Sequence, residues 1–306
     1  MKVLFVGRAK SEGVSPILYA QGSSLEKQGC ALSYFALQKS GFWGYLSNLR
    51  KLRQYIRSTN PDIVHAHYSL TGFVAVLATR KPLVVSLMGS FPYKNWRYWL
   101  VQVCMSFFWK ATIVKSERTA RQLKRKNLHV IPNGVDLEFF SGADKAKLRK
   151  QFGWQEEDKI VLFAADPKRK VKNYPLAQQA VQTIADNKVK LLPIFDVTHQ
   201  EMAAYMQAAD ALLLTSFSEG SPNVIKEALA CSLPIVTTNV GDVSYLLDGV
   251  EGAYVANTFS PEEIATLLVK ALAVKKTEGQ QRIKALGLDS KQVAQQLAAI
   301  YNQVIK

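Results

Sequence analysis

The chain reads as an α/β protein built on two parallel sheets, and three observations predict this. Short apolar runs recur along its length, amphipathic stretches separate them, and the runs fall into two series divided by a turn-rich stretch. The first series is "KVLFV", "DIVHAH", "PLVVSLMG" and "ATIVKS"; the second is "KIVLFAA", "VKLLPIF", "DALLLTS" and "LPIVTT". Strands alternating with helices imply β-α-β units and a parallel sheet covered on both faces, which is why the runs are apolar throughout. Two series therefore mean two sheets. Between them stands "HVIPNGVDLEFF", where Asn133-Gly134 makes a turn and Pro132 stops any ladder, so the linker is expected over residues 132–142. The closing helix, about 291–306, follows "GLDS", in which Asp289 or Ser290 serves as N-cap.

A chain of 306 residues, 48% hydrophobic, has room for two cores of about 150 residues each. The opening "MKVLFVG" carries only four apolar residues before its glycine, too few for a signal-peptide core. The longest nearly apolar run, Tyr98 to Trp109, includes Gln102 and Ser106 and falls short of the roughly 20 residues that cross a bilayer. A cytoplasmic protein is the expectation. Cys30, Cys104 and Cys231 are far apart and lack metal-ligand spacing, so they read as reduced core residues. The net charge of +15 is unevenly placed: residues 1–141 hold 20 Lys+Arg against 6 Asp+Glu, and residues 142–306 hold 19 against 18. Such asymmetry suits an N-terminal half that faces a polyanion, nucleic acid or an anionic membrane, with a merely solubilising field as the bland alternative.

Ligands of open parallel sheets bind beyond the carboxyl ends of the strands, so two sheets facing across a linker would share one cleft. The stretch "SFSEGSPNVIKEALACSLPIVTT", 216–238, shows what such a site would hold. "DALLLTS" before it is a buried strand; "NVIKEALA" is a helix with Val224, Ile225, Ala228 and Leu229 inward. Ser221 is placed to cap that helix and Pro222 suits its first position. Its amides, those of Asn223, Val224 and Ile225, then offer an anion site strengthened by the helix dipole. Glu219 precedes the turn with Gly220, and Glu227 lies about 6 Å along the axis from Asn223. Carboxylates accept from vicinal hydroxyls, so a carboxylate on each side of a phosphate site suggests sugar, phosphates, sugar: a nucleotide sugar. Two glutamates eight apart are common by chance; the strand, turn and Pro-started helix around them carry the reading.

This segment resembles the E-x7-E donor signature of family 4 retaining glycosyltransferases, here Glu219 to Glu227. "PDIVHAHYSLTG" (61–72), "VIPNGVDLEFF" (130–140), "VKNYPLAQQAV" (171–181), "AADALLLTS" (208–216) and "LPIVTTNVGDVSYLLDGVEGAYV" (to 255) are similar to the family's pattern, in the family's order. The resemblance implies a GT-B fold, two Rossmann-like domains around a cleft: residues 1–135 on the acceptor side, joined by the helix of 291–306, and residues 142–290 binding the nucleotide sugar. It implies Glu219 on the transferred sugar, Glu227 on the ribose, and Lys172 on the phosphate, with Arg169 or Lys168 as its companion. The donor would be a UDP- or GDP-sugar, with its base near "LLPIFDVTH", 191–199. Retention would proceed by same-face attack with the departing phosphate taking the acceptor's proton; no cofactor or metal is expected, and no Asp-x-Asp is present. On the first domain Gly13 would let backbone approach the phosphate. Met88, where relatives often carry His, and Gly89 fall on the acceptor side, with His67 the cleft-facing member of the His65/His67 pair and a structural role the default for both.

The stretch "FPYKNWRYWLVQVCMSFFWK", 91–110, reads by default as a core helix; basic and aromatic, it also suits a lipid interface. The expectation is therefore a glycosyltransferase extending a glycan or polyprenyl-linked acceptor, peripheral on the cytoplasmic membrane face through its basic first domain. The alternatives are a nucleic-acid-binding protein, which lacks any recognition motif and leaves the two glutamates unexplained, and a GT-B sugar-nucleotide epimerase. A Rossmann dehydrogenase is disfavoured because "VGRAKSEG" is not G-x-G-x-x-G.

Overall fold

A computed structural model describes residues 1–9, 13–38, 44, 47–88, 96–123 and 127–306. The chain divides into two compact units, Met1–Gly134 with Ser290–Lys306, and Val135–Asp289. In the first unit the order is β1 (Lys2–Arg8), α1 (Pro16–Glu26), β2 (Ala31–Leu37), α2 (Leu49–Thr59), β3 (Ile63–His67), α3 (Ser69–Ala78), β4 (Leu83–Leu87), α4 (Trp96–Phe107), β5 (Ala111–Val114), α5 (Glu117–Leu123) and β6 (Leu128–Val130). The second unit runs α6 (Lys145–Gln151), β7 (Lys159–Phe163), α7 (Tyr174–Thr183), β8 (Val189–Pro193), α8 (His199–Ala208), β9 (Ala211–Leu214), α9 (Asn223–Ala230), β10 (Ile235–Thr238), α10 (Val243–Leu247), β11 (Ala253–Ala256), α11 (Pro261–Leu272) and α12 (Gly279–Ala285). The closing helix α13 (Ser290–Ile305) returns to the first unit.

Both sheets are parallel and share one winding. The six-stranded sheet is ordered β2-β1-β3-β4-β5-β6 and the five-stranded one β11-β10-β9-β7-β8. Each reverses direction once, between β1 and β3 and between β7 and β9. Such a reversal sends the two neighbouring crossovers to opposite faces and opens a crevice at the strands' carboxyl ends. In the second sheet, the loops that leave the reversal are residues 164–173 and 215–222.

The inner strands are buried on both sides, as their uninterrupted apolar runs require: every residue of β3, β4 and β9 is buried, while the edge strands β2, β6, β8 and β11 are mostly half-buried. Each sheet has a core on each face. In the second unit one core gathers Ile160, Leu162, Leu212, Ile225 and Leu229, the other Val161, Leu213, Ala177 and Leu268. Val135, Leu137 and Phe140 sit in the first of these, so "VDLEFF" carries core residues of the second unit rather than open linker.

Helix α13 buries Val293, Ala294, Leu297, Ile300 and Tyr301, one helical stripe, against the core of β1, β3 and α1. Its phenol finishes the anchor. Tyr301 Oη lies 2.6 Å from His65 Nδ1, and His65 Nε2 lies 2.9 Å from Ser86 Oγ. Burial, then the Lys115 charge, drives the His65 pKa down to about 3, so the ring is neutral and each nitrogen is matched to a hydroxyl. The segments by which the chain leaves the first unit and returns to it run side by side: Val135 pairs with Asp289 in a parallel bridge, and a Cβ on Gly134 would stand 2.8 Å from Ser290 Cα. Among the described residues no helix is long and apolar enough to cross a membrane.

Candidate functional site

The loop leaving β7 is basic and tightly folded. Asp166 Oδ1 accepts from the Lys168 amide at 2.9 Å, and residues Lys170–Lys172 make one 3₁₀ turn that Asn173 ends in the left-handed region at φ 51°. The chain leaving β9 grips this turn. Thr215 Oγ1 donates to the carbonyls of Lys172 and Asn173 at 3.1 and 2.9 Å, and the Phe217 amide donates to Val171 O at 2.9 Å. Thr238, at the end of β10, donates to Ser216 O at 2.7 Å. Three strand ends are thereby stitched together.

That stitching brings Lys172 and Glu219 together across 46 intervening residues. Lys172 Nζ lies 2.6 Å from Glu219 Oε1, and Ser216 Oγ donates to the same oxygen at 2.7 Å. Both side chains are mostly buried, so a charge-assisted bond fixes the ammonium where a loose surface lysine would wander. Lys168 and Arg169 are exposed on the same loop, ahead of the 3₁₀ turn.

The helix start differs from expectation in one respect. Pro222, at φ −70° and ψ 119°, is itself the N-cap of α9, and its ring offers the helix amides no acceptor. Ser221 does not cap because its hydroxyl is engaged behind the turn, where it accepts from Lys226 Nζ at 3.3 Å. The first turn, from Asn223 through Val224 and Ile225, carries no acidic side chain, and the Ile225 amide donates to Pro222 O at 3.3 Å. A helix N-terminus with no acidic side chain in its first turn suits an anion.

Lys226 was not among the residues the sequence pointed to, because a lysine beside Glu227 reads as solvated. It is 1% exposed. Burial lowers its pKa to about 8, although the charges of Asp242 and Glu227 pull the other way. Asp242, in the loop after β10, has its carboxyl raised by burial, opposed by a hydrogen bond from Ser221 and by the Lys226 charge. The fold thus holds an ammonium beneath the 219–222 turn at a cost. With a folded pKa near 8 against an ordinary 10.5, the unfolded chain holds the proton between those values and the native one releases it. Stability contributed by this residue therefore rises with pH across that window, by on the order of 3 kcal/mol, while below it the burial penalty is fully present. Chemical denaturation of the wild type and Lys226→Met at pH 7 to 10 checks this: the wild type gains on the variant as pH rises. Parallel curves would show a lysine that titrates normally.

Glu227 lies on the second turn of α9, with His199 Nε2 at 3.6 Å from its Oε1. His199, the first residue of α8, stacks on Phe139 with ring centroids 4.9 Å apart and takes the edge of Phe140 at 5.2 Å. Glu219 and Glu227 thus stand on either side of the α9 start. Gly220 lies between strand and helix, and a Cβ on Gly241 would come 2.2 Å from its carbonyl oxygen.

In the first unit, Gly13 follows β1 at φ +112°, a backbone that excludes most side chains. Met88 is half-buried after β4, and Gly89 and residues 91–95 lie outside the described residues. His67 is buried in β3, stacked on His65 at 4.3 Å, and neither ring nitrogen has a hydrogen-bond partner among the described residues. Burial first, then the neighbouring His65 and Lys115, hold it well below the usual histidine range. Among the described residues no group of three or more His, Cys, Asp or Glu is placed to hold a metal ion.

Residues 9–139 match Glycosyltransferase Family 4 and residues 137–273 match Glycosyl transferases group 1. The chain belongs to the family 4 glycosyltransferases. Its GT-B fold is shared with sucrose-phosphate synthase from Thermosynechococcus elongatus (TM-score 0.79, 16% identity, 99% of each chain covered). It is shared also with Anabaena HepE in complex with UDP and glucose (TM-score 0.76, 18% identity, 99% of this chain and 100% of that one). Among family 4 sequences it is similar to the putative teichuronic acid biosynthesis glycosyltransferase TuaC of Bacillus subtilis, 27% identical over 228 residues, 65% of this chain. The chain spans 58% of the length of TuaC.

Proposed function

We propose that this chain is a retaining glycosyltransferase that takes a sugar from a nucleotide diphosphate and adds it to a glycan, lipid-linked on the acceptor side. The observation that carries the reading is the Lys172–Glu219 contact of 2.6 Å, made from the loop that leads into the Pro222-started helix α9. The diphosphate would lie on the amides of Asn223, Val224 and Ile225, with Lys172 and Arg169 or Lys168 neutralising the charge that develops as the leaving group departs. Ser216 and Lys172 both engage Glu219 through Oε1. Oε2 is the atom we assign to the transferred sugar's hydroxyls, and Glu227, steadied by His199, takes the ribose. The leaving phosphate accepts the proton of the attacking hydroxyl on the same face of the sugar. Binding of UDP and glucose by HepE and the pathway named for TuaC support this assignment.

Calorimetric titration with a panel of UDP- and GDP-sugars tests it. One donor should bind, and Glu227→Ala should weaken it by about 10- to 100-fold, the worth of hydrogen bonds to a charged group. Unchanged affinity in the variant removes the ribose assignment; a wild type that binds no sugar nucleotide removes the function. A bound donor converted to an isomeric sugar nucleotide without any acceptor would make the protein an epimerase instead.

A further inference from the structure

Helix α4 and the residues just after it are apolar on every side, yet only one side is packed. Val101, Gln102, Cys104 and Met105 are buried with Trp109 in the core of the first unit. Trp96, Trp99, Val103 and Phe107 are exposed, Trp99 by 71% and Phe107 by 79%. At 100° per residue these four fall within about 80° of one another, a single stripe along some 18 Å of helix. Ser106, the polar residue beside the stripe, donates to Gln102 O at 2.9 Å, so its hydroxyl is satisfied within the helix and does not require water. Aromatic side chains carry about 150–250 Å² each, so at these exposures the stripe presents on the order of 400–600 Å², the size of the largest apolar patch a soluble monomer shows, one that is often functional.

We propose that this face docks the protein on an anionic lipid bilayer, with α4 lying in the interface. Charge selects the occupant. The segment 96–123 holds five Lys/Arg against one Asp/Glu, within a half-chain of net +14, and Arg97, Lys110, Arg118 and Arg121 surround the helix in sequence. Arg97 stacks over Trp96 at 5.7 Å, and α5, which carries Arg118 and Arg121, is tied to α4 by Gln102 Nε2 donating to Leu123 O at 3.2 Å. A second copy set face to face would oppose cation with cation, whereas anionic headgroups meet the cations while tryptophans sit at headgroup level. The inference stands on this face alone and does not require the transfer reaction.

Co-sedimentation of the full chain with phosphatidylcholine vesicles, with and without phosphatidylglycerol, tests it. Binding is expected only with the anionic lipid, weaker at high salt, with a blue shift of tryptophan emission and quenching by lipids brominated on the acyl chain. Trp99→Ser/Phe107→Ser should lower the partition constant by at least about tenfold, while Val269→Ser, at an exposed apolar residue on α11 of the second unit, leaves it unchanged. Because the substituted side chains are exposed, both variants should keep the wild-type melting temperature. A wild type that ignores anionic vesicles, or a double variant that binds as well as wild type, overturns the proposal. So does sedimentation velocity showing a dimer that these substitutions dissolve and vesicles do not compete with.

Discussion

Lys172→Met should lower kcat about 10²- to 10³-fold, the range found when one preorganised donor to a developing oxyanion is removed. Its ammonium is held 2.6 Å from Glu219 by a turn that Thr215 and Phe217 fix in place, so in the proposed reaction it would need no reorganisation as the leaving phosphate gains charge. Methionine keeps the volume and loses the charge. Glu219 retains Ser216 as a donor, so its carboxylate keeps an orienting partner and the variant should fold. The split between parameters carries the information. Loss confined to kcat marks a contact made in the transition state, whereas a rise in KM alone marks uniform binding of the donor. Lys172→Arg should recover only part of the rate, because a planar fork does not reproduce a point charge on a short path. Initial rates at saturating donor, with calorimetric donor affinity in parallel, decide the matter. A kcat within about threefold of wild type, under 1 kcal/mol of barrier, would assign the phosphate to Lys168 or Arg169 and leave Lys172 as a structural partner of Glu219.

The inner strands were legible because a strand buried on both faces leaves its mark in every residue, as in "DALLLTS" and "PLVVSLMG"; the edge strands β2, β6 and β11, mostly half-buried, stood outside both series. The family followed from motif order, and Glu219 with Lys172 came with it. What joined them was not legible: the reversal of winding between β7 and β9 is a property of strand order, and nothing in "DPKRKVKN" says which of its four cations will face a carboxylate 47 positions on. Lys226 was hidden for a different reason. Its burial is set by the loop after β10, and no local pattern distinguishes it from a surface lysine. Helix α4 shows the limit of periodicity itself: with apolar residues at 96, 99, 100, 101, 103, 104, 105, 107 and 108, the moment is nearly flat, so the inward face is chosen by tertiary packing alone. The core reading of that helix holds for Val101, Cys104 and Met105 and fails for Trp99 and Phe107.

Gly241→Ala should destabilise the second unit and disable the site together. Two costs fall on one methyl group. Gly241 sits at φ +62°, where a side chain costs about 1–2 kcal/mol. The new Cβ would also lie 2.2 Å from Gly220 O, 2.9 Å from its carbonyl carbon and 3.2 Å from Glu219 O, all backbone atoms that cannot swing aside. Overpacking of this kind costs about 1–3 kcal/mol, and relief requires the 219–221 turn to move. That turn carries Glu219 and leads into the first amides of α9, so a shift near 1 Å should lower kcat/KM by about 100-fold, with a melting temperature lower by roughly 5–15 °C. Gly249→Ala separates the two costs. Its φ is +74°, yet nothing lies within 4 Å of the added Cβ, so it carries the backbone strain without the collision. It should lose stability by about 1–2 kcal/mol and keep its activity. Should both variants lose the same stability and both remain active, the loop after β10 is not pressed on the turn, and the position of Glu219 is set from β9 and the Lys170–Lys172 turn alone.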